Sequence, residues 1–383
     1  MKILHTSDWH LGASLYGFDR LREQAETLDR IIATAQSERP DAVLVAGDVF
    51  DSSQPSNAAY RLFVDKIQEL RDICPEAVIV VISGNHDSAS RHELFRTPWE
   101  KERIYLVGEL GKEGVAKALI PVPGKGTIIA LPYVNRRFVP ENYIADTVAE
   151  LAAQAEPGLP VVLMAHLALA GDGYEPGTSI GSLDCVGAAE LGDAFDYAAL
   201  GHIHRTYPVA GASRCAWYSG TPVAVSFDEP EAHGVNIVEI EVRGAEPQVR
   251  RVIFTPSRPL VSLPGSGFAD FGECKRLLAG FPADIPAYIR LNVCQAEPLP
   301  SDAPQQVRAI LADRRADFCC MNYRRESAPG GESQQAMAMA DFLAVEPGEI
   351  FRLFLQARGI TDTEELTELF NQAQALAEAG KRQ

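Results

Sequence analysis

At 383 residues and 46% hydrophobic content, the chain is long enough to bury a large core and to divide into more than one domain. No apolar run approaches the roughly 20 residues of a membrane helix and no signal-peptide layout opens the chain, so a membrane role is excluded and a cytoplasmic location is expected. The formal net charge of −17 excludes nucleic-acid binding by bulk electrostatics; a polyanionic substrate would need bound divalent cations or a basic partner.

The chain begins MKILHTSDWH, a β-favouring run that delivers Asp8 and His10 to its end. Phe18, Leu21, Ala25, Leu28 and Ile32 then step by three and four and predict a helix. DAVLVAGD predicts a second strand, ending at Asp48. Pro55 and Ser56 open a second helix through Ala59, Leu62, Phe63, Ile67 and Leu70. AVIVVISGNHD predicts a strand running into Asn85 and His86, VVLMAH one ending at His166, and YAALGHIH one ending at His202 and His204. Strands are also predicted at 127–134, 234–242 and 249–254. Continuous Val/Ile/Leu/Ala strands alternating with amphipathic helices imply an α/β layered sheet with ligands at the carboxyl ends of its strands.

The catalytic layer is expected to span 1–260 and to end at the Pro/Gly/Ser-rich stretch TPSRPLVSLPGSG. Residues 261–326 then read as a small βαβ-like capping unit built from AYIRLNV, APQQVRAILADR and ADFCCMNYRR. A linker at 324–337 leads to a C-terminal helical tail at 338–383, with one pattern on Ile350, Phe351, Phe354 and Leu355 and another opened by Thr361 and Glu364. From 341 to 379 the tail holds eight acids against two bases, so a basic partner surface would suit it.

Seven scattered cysteines without a C-x-x-C pair suggest reduced thiols rather than a disulfide framework or zinc ribbon. His5 reads as a packing residue, and His92 and His233 as ordinary surface or loop residues. Arg136 and Arg137, between Tyr133 and Phe138, read as a solvated edge that could also meet a DNA backbone or stack on a base. Tyr16 likewise reads as a solvated residue, though its nearness to the first D-x-H draws interest.

The strand ends assemble Asp8, His10, Asp48, Asn85, His86, His166, His202 and His204, a set suited to Mn²⁺ and compatible with Mg²⁺, Fe²⁺ or Zn²⁺. That many groups exceed the needs of one ion. Two ions about 3.5–4 Å apart, which clamp the attacking and leaving oxygens of an in-line displacement, would use them. Such a pair needs a shared carboxylate, and Asp48 is central in the series. On an extended segment, the partners in D-x-H and H-x-H would point the same way.

In SDWHLG, GDVFD, GNHDS, the AH at 165–166 and GHIHR, roughly residues 1–230 resemble the calcineurin-like metallophosphoesterase superfamily. The resemblance implies a layered αββα core. It implies that Asp8, His10, Asp48 and His204 bind one ion, that Asp48, Asn85, His166 and His202 bind the other, and that His86 is a catalytic proton donor rather than a ligand. With the capping unit and tail, it further implies a homodimer joined to an SMC-like ATPase and acting on DNA as an exonuclease and endonuclease. A small-molecule phosphodiesterase or phosphatase using the same dinuclear site is the competing expectation, since fold does not fix substrate.

Overall fold

The computed structural model describes residues 1–110, 115–135, 139–140, 142–170, 179–180 and 183–326, together with Leu366 and Phe370. The chain divides into two units, Met1–Gln295 with Leu299–Arg324, and Ala296–Pro298 with Arg325–Gln383. Leu366 and Phe370 of the expected second tail helix are helical; the rest of the expected tail helices, and Arg136, Arg137 and Phe138, lie outside the described residues.

The chain starts with β1 (Lys2–Thr6) and a tight hairpin of β2 (Ser14–Leu15) and β3 (Phe18–Asp19). There follow α1 (Leu21–Glu38), β4 (Ala42–Ala46), α2 (Asn57–Ile73), β5 (Val78–Ile82), α3 (Ala89–Glu100) and β6 (Ile104–Val107). Next come β7 (Leu119–Val122), β8 (Gly126–Leu131), α4 (Tyr143–Ala152) and β9 (Val161–His166). Two residues each form β10 (Ser179–Ile180) and β11 (Leu183–Asp184), ahead of β12 (Tyr197–Gly201), β13 (Tyr207–Pro208) and β14 (Cys215–Tyr218). The core closes with β15 (Gly234–Glu239) and β16 (Gln248–Ile253).

Two six-stranded sheets result, in the orders β16-β15-β1-β4-β5-β6 and β13-β14-β12-β9-β8-β7. β1, β4, β5 and β6 run parallel, as do β8, β9, β12 and β14. Ile3, Leu44, Val80, Ile128, Val162 and Met164 fill the space between the sheets. Leu28, Ile31, Phe63 and Ile67 of α1 and α2 cover the outer face of the first sheet, while Val148 and Leu151 of α4 cover that of the second. This is an α/β fold with a layered αββα core. Burial on both faces is why these strands read as unbroken apolar runs. Ser56 caps α2 by accepting from the Ala59 amide at 3.1 Å, as its position after Pro55 predicts. Phe18, expected to begin α1, lies instead in β3.

Beyond the core, β17 (Leu260–Leu263), α5 (Phe271–Gly280), β18 (Ala287–Gln295), α6 (Ala303–Leu311) and β19 (Ala316–Arg325) form a three-stranded sheet ordered β17-β18-β19. The stretch read as a connection thus holds a strand, β17, parallel to β18. A helix absent from the βαβ reading, α5, follows it and is capped by Asp270 accepting from the Glu273 amide at 2.8 Å. Phe271, Cys274, Leu278, Ile289, Val307 and Leu311 form a core of their own beneath this sheet. All seven cysteines are free. No helix among the described residues is long and apolar enough to cross a membrane.

His5 on β1 is fully buried. Its Nε2 donates to the Leu200 carbonyl at 3.2 Å, leaving Nδ1 to accept from the Tyr197 hydroxyl at 2.9 Å. Burial pulls its pKa from 6.5 to about 3. Because the unfolded chain takes up the proton first, the contribution of His5 to stability is complete above pH 6.5 and is lost as pH falls toward 3. His5→Gln is therefore expected to shrink the stability lost between pH 6.5 and pH 5 by about 2 kcal/mol, measured by urea unfolding at the two pH values.

Candidate metal centre

The side chains singled out at the strand ends meet at the seam between the two sheets. After β1 and β4 the chain runs as two parallel loops zipped by backbone bonds, Asp8 N to Gly47 O at 3.0 Å, His10 N to Asp48 O at 3.1 Å and Leu11 N to Val49 O at 2.9 Å. Asp8, His10, Asp48 and His202 all lie in the left-handed region, with φ of 53°, 44°, 49° and 100°. The expected strand alternation is therefore not what makes the D-x-H and H-x-H partners converge. Sharp left-handed turns aim them, and such non-glycine residues cluster where a site over-determines the backbone.

Glycines permit the close approach. A Cβ on Gly47, itself at φ 87°, would stand 2.4 Å from His166 Nδ1, and one on Gly84 would stand 2.1 Å from Asp48 Oδ1.

Asp8, His10 and His204 form one group of facing ligand atoms, and Asp48, His166 and His202 another. Asp48 lies between them, with Oδ2 3.3 Å from His166 Nε2 and 3.9 Å from His10 Nε2. Its Oδ1 accepts from the His86 amide at 2.9 Å. Asn85 Oδ1 sits 3.0 Å from His166 Nε2 and 3.1 Å from His202 Nδ1. Asp8 accepts from the His202 amide at 3.0 Å and from the Ser7 hydroxyl at 2.5 Å. All eight predicted residues, His86 included, thus come together.

His86 is exposed, and its Nδ1 lies 2.8 Å from the Asp51 carbonyl. A carbonyl only accepts, so the proton stays on Nδ1 and Nε2 is the atom free to exchange one. The Asp51 carboxylate is 3.7 Å from His10 Nδ1.

The donor set fits divalent cations. His10 Nε2 and His204 Nε2 face each other at 3.1 Å, while the buried His10 Nδ1 has no hydrogen-bond partner. Facing nitrogens need a proton or a metal ion between them. Carboxylate, amide oxygen and imidazole without thiolate is the chemistry of hard-to-borderline ions. Electrostatics agree. Burial pushes the Asp8 carboxyl up to about 6, the cost of a carboxylate held dry, and pulls His10 down to about 4. Burial also opposes charge on Asp48 and His166, but their mutual attraction prevails, holding Asp48 well below the carboxylate range and lifting His166 to about 9.

Three buttresses escaped sequence reasoning. His166 Nδ1 is tied to the Ala46 carbonyl at 2.8 Å, across the seam. Asp87 accepts from the amides of Val49, Phe50 and Gly84 at 3.1, 2.9 and 2.9 Å, locking the loops after β4 and β5. Glu229 accepts from His204 Nδ1 at 2.8 Å and from the Val225 amide at 3.0 Å. His92 and His233, expected to be ordinary surface or loop residues, belong to this support, His233 from a loop. His92 is buried on α3, 3.8 Å from Asp87, because α3 packs its ring against Phe50 and Phe63. His233 bonds Thr221 and the Glu229 carbonyl. Carboxylates that fix a ligating imidazole typically tune metal affinity 10–100-fold. Glu229→Ala is expected to weaken Mn²⁺ binding by about that factor in titration calorimetry, and Glu229→Gln, whose amide oxygen still accepts from Nδ1, to weaken it less.

Residues 1–206 match the calcineurin-like phosphoesterase family. The chain is 32% identical over 285 residues to SbcD, a component of the nuclease SbcCD, from Bacillus subtilis, covering 68% of this chain and 71% of that one. Against SbcD of Rhodobacter capsulatus the identity is 32% over 71% of this chain and 74% of the other. SbcD of Escherichia coli K12 matches at 26% over 97% of both chains. The chain belongs to the SbcD group of calcineurin-like phosphoesterases. As a phosphoesterase of this group it is a phosphodiester hydrolase, and its facing His and Asp groups are compatible with a dinuclear metal site.

Proposed function

We propose that the protein is a divalent-metal-dependent DNA nuclease, a 3′–5′ exonuclease on duplex ends and an endonuclease on single strands and hairpins. It acts in the cytoplasm with an SbcC-type SMC-like ATPase in DNA repair, recombination and replication, as a homodimer within a heterotetramer. The observation that carries this reading is the convergence of Asp8, His10, Asp48, Asn85, His166, His202 and His204 about the Asp48 carboxylate, in a chain matched over 97% of its length by the SbcD component of an SbcCD nuclease. Residues 1–260 form the nuclease domain and 261–326 the capping domain, a division supported by the separate core under β17, β18 and β19. Residues 338–383 are the docking helices for the ATPase.

Asp8, His10, Asp48 and His204 would hold one ion, and Asp48, Asn85, His166 and His202 the other, most simply Mn²⁺, with Mg²⁺ also suited. When bound, the ions neutralise charge gathering on the phosphate and favour an in-line displacement. Asp48 keeps the two ligand groups in register. Glu229 and the Ala46 carbonyl fix the tautomers of His204 and His166 so that each Nε2 offers a lone pair inward. His86 delivers a proton from Nε2 to the departing 3′ oxygen. Local cations also answer the net charge of −17, which would otherwise repel DNA.

Incubation with a duplex hairpin and Mn²⁺, with and without the ATPase, tests the reading. Cleavage of the hairpin is expected. Intact DNA in both cases, alongside brisk turnover of a small diester, would replace it with a small-molecule phosphodiesterase.

A further inference from the structure

The hairpin that follows the first metal loop carries an anomaly. β2 and β3 pair Leu15 with Phe18 and leave a two-residue turn, Tyr16-Gly17, at φ 49° and 87°. Positive φ at both central positions is the signature of a type I′ turn, whose first position normally takes Asn, Asp or Gly. A tyrosine there is uncommon and strained, and strain of this kind persists only when its surroundings hold it.

The surroundings do hold it. Leu15 and Phe18, on either side of the turn, are buried or half-buried in a cluster with Phe227, Tyr288, Leu260, Cys319 and Cys320, which joins the hairpin to both core and capping sheet. The Tyr16 ring lies 6.1 Å from the Phe227 ring, whose own ring carries the Arg290 guanidinium at 5.1 Å. Arg290 is fixed in turn by Asp228 at 2.6 Å and by the Phe227 carbonyl at 3.2 Å. A hydrogen bond to Cys320 pushes the Tyr16 hydroxyl up to about 12. With one flank against Phe227, Tyr16 is still 60% exposed, against 8% for Phe227 beneath it. The fold thus tolerates strain to present a rigid aromatic ring to solvent. It stands six positions along the chain from His10, a span of at most about 22 Å even fully extended.

We propose that Tyr16 is a stacking platform for an unpaired nucleobase flanking the scissile phosphate, making it a determinant of substrate choice. This rests on the nuclease reading. Every base offers a π-face, so such a contact needs no sequence specificity, and it suits an acidic chain because it requires no positive field. Pre-setting the ring avoids the ordering cost a flexible side chain would incur on binding.

The test compares wild type, Tyr16→Ala, Tyr16→Phe and Tyr16→Trp on a DNA hairpin with Mn²⁺, using loops with normal or abasic nucleotides. Tyr16→Ala is expected to raise KM at least tenfold on the normal loop, with Tyr16→Phe and Tyr16→Trp close to wild type. Abasic loops are expected to raise the wild-type KM to the Tyr16→Ala level and to leave that variant unchanged. An unaltered KM for Tyr16→Ala overturns the proposal. So does a loss equal in Tyr16→Phe, which would assign the effect to the hydroxyl and Cys320. If wild type cleaves a small diester but no DNA, the nuclease reading falls as well; if it cleaves DNA and Tyr16→Ala keeps its KM, only this proposal falls.

Discussion

Replacing His86 with glutamine is expected to lower kcat for DNA cleavage by about 10²–10⁴, the usual worth of a positioned proton donor, while Mn²⁺ binding stays within a fewfold of wild type. The separation follows from the geometry. Among the described residues the His86 side chain bonds the Asp51 carbonyl and packs its ring 5.1 Å from that of His10, whereas its backbone amide holds Asp48 Oδ1, and the substitution leaves that amide in place. Glutamine keeps a donor to Asp51 but cannot give up a proton to a departing alkoxide. A diester with an acidic phenolic leaving group needs no such proton. On that substrate the deficit should shrink toward tenfold, and an equal deficit on both would sink the proton-donor assignment.

Asp48→Asn is expected to act differently, costing about a thousandfold or more in activity together with one equivalent of bound metal. Asp48 approaches a histidine of each group, at 3.3 Å from His166 and 3.9 Å from His10, so its charge is what two neighbouring cations would share. The metal-free protein offers an independent readout. Asp48 is the main influence raising His166, so in the variant the His166 pKa should fall from about 9 to below 7, followed by imidazole proton resonances across a pH titration. Full metal stoichiometry with an unmoved His166 would show that Asp48 is not the shared group.

The parts of the site read directly from the chain are those whose signal is local. Apolar runs that stop at Asp8, Asp48, Asn85, His166 and His202 are strands buried on both faces, and it is at their ends that polar side chains reach a ligand. The supports were hidden because their signal is not local. Glu229 meets His204 across 25 residues of chain, and nothing in the residues around Glu229 announces it. His92 passed for a surface residue because the aromatic pocket that takes it is assembled from α2, α3 and the loop after β4. In the capping sheet, β17 was masked by the Pro and Gly around it. The missed α5 did carry a signal, with Asp270 as cap and Phe271, Cys274 and Leu278 buried one helical face apart.

The left-handed backbone at Asp8, His10, Asp48 and His202 restricts which amino acids the centre can recruit. Aspartate, asparagine and histidine are the non-glycine residues that enter that conformation most readily. They are also good donors to hard and borderline cations. Glutamate binds such ions just as well, yet it enjoys no comparable ease in those turns, and this chain places its glutamate one layer out, at Glu229. Two unrelated filters, one conformational and one inorganic, therefore converge on the same short alphabet. A variant library at these positions would be winnowed by chain geometry before any ion had been offered.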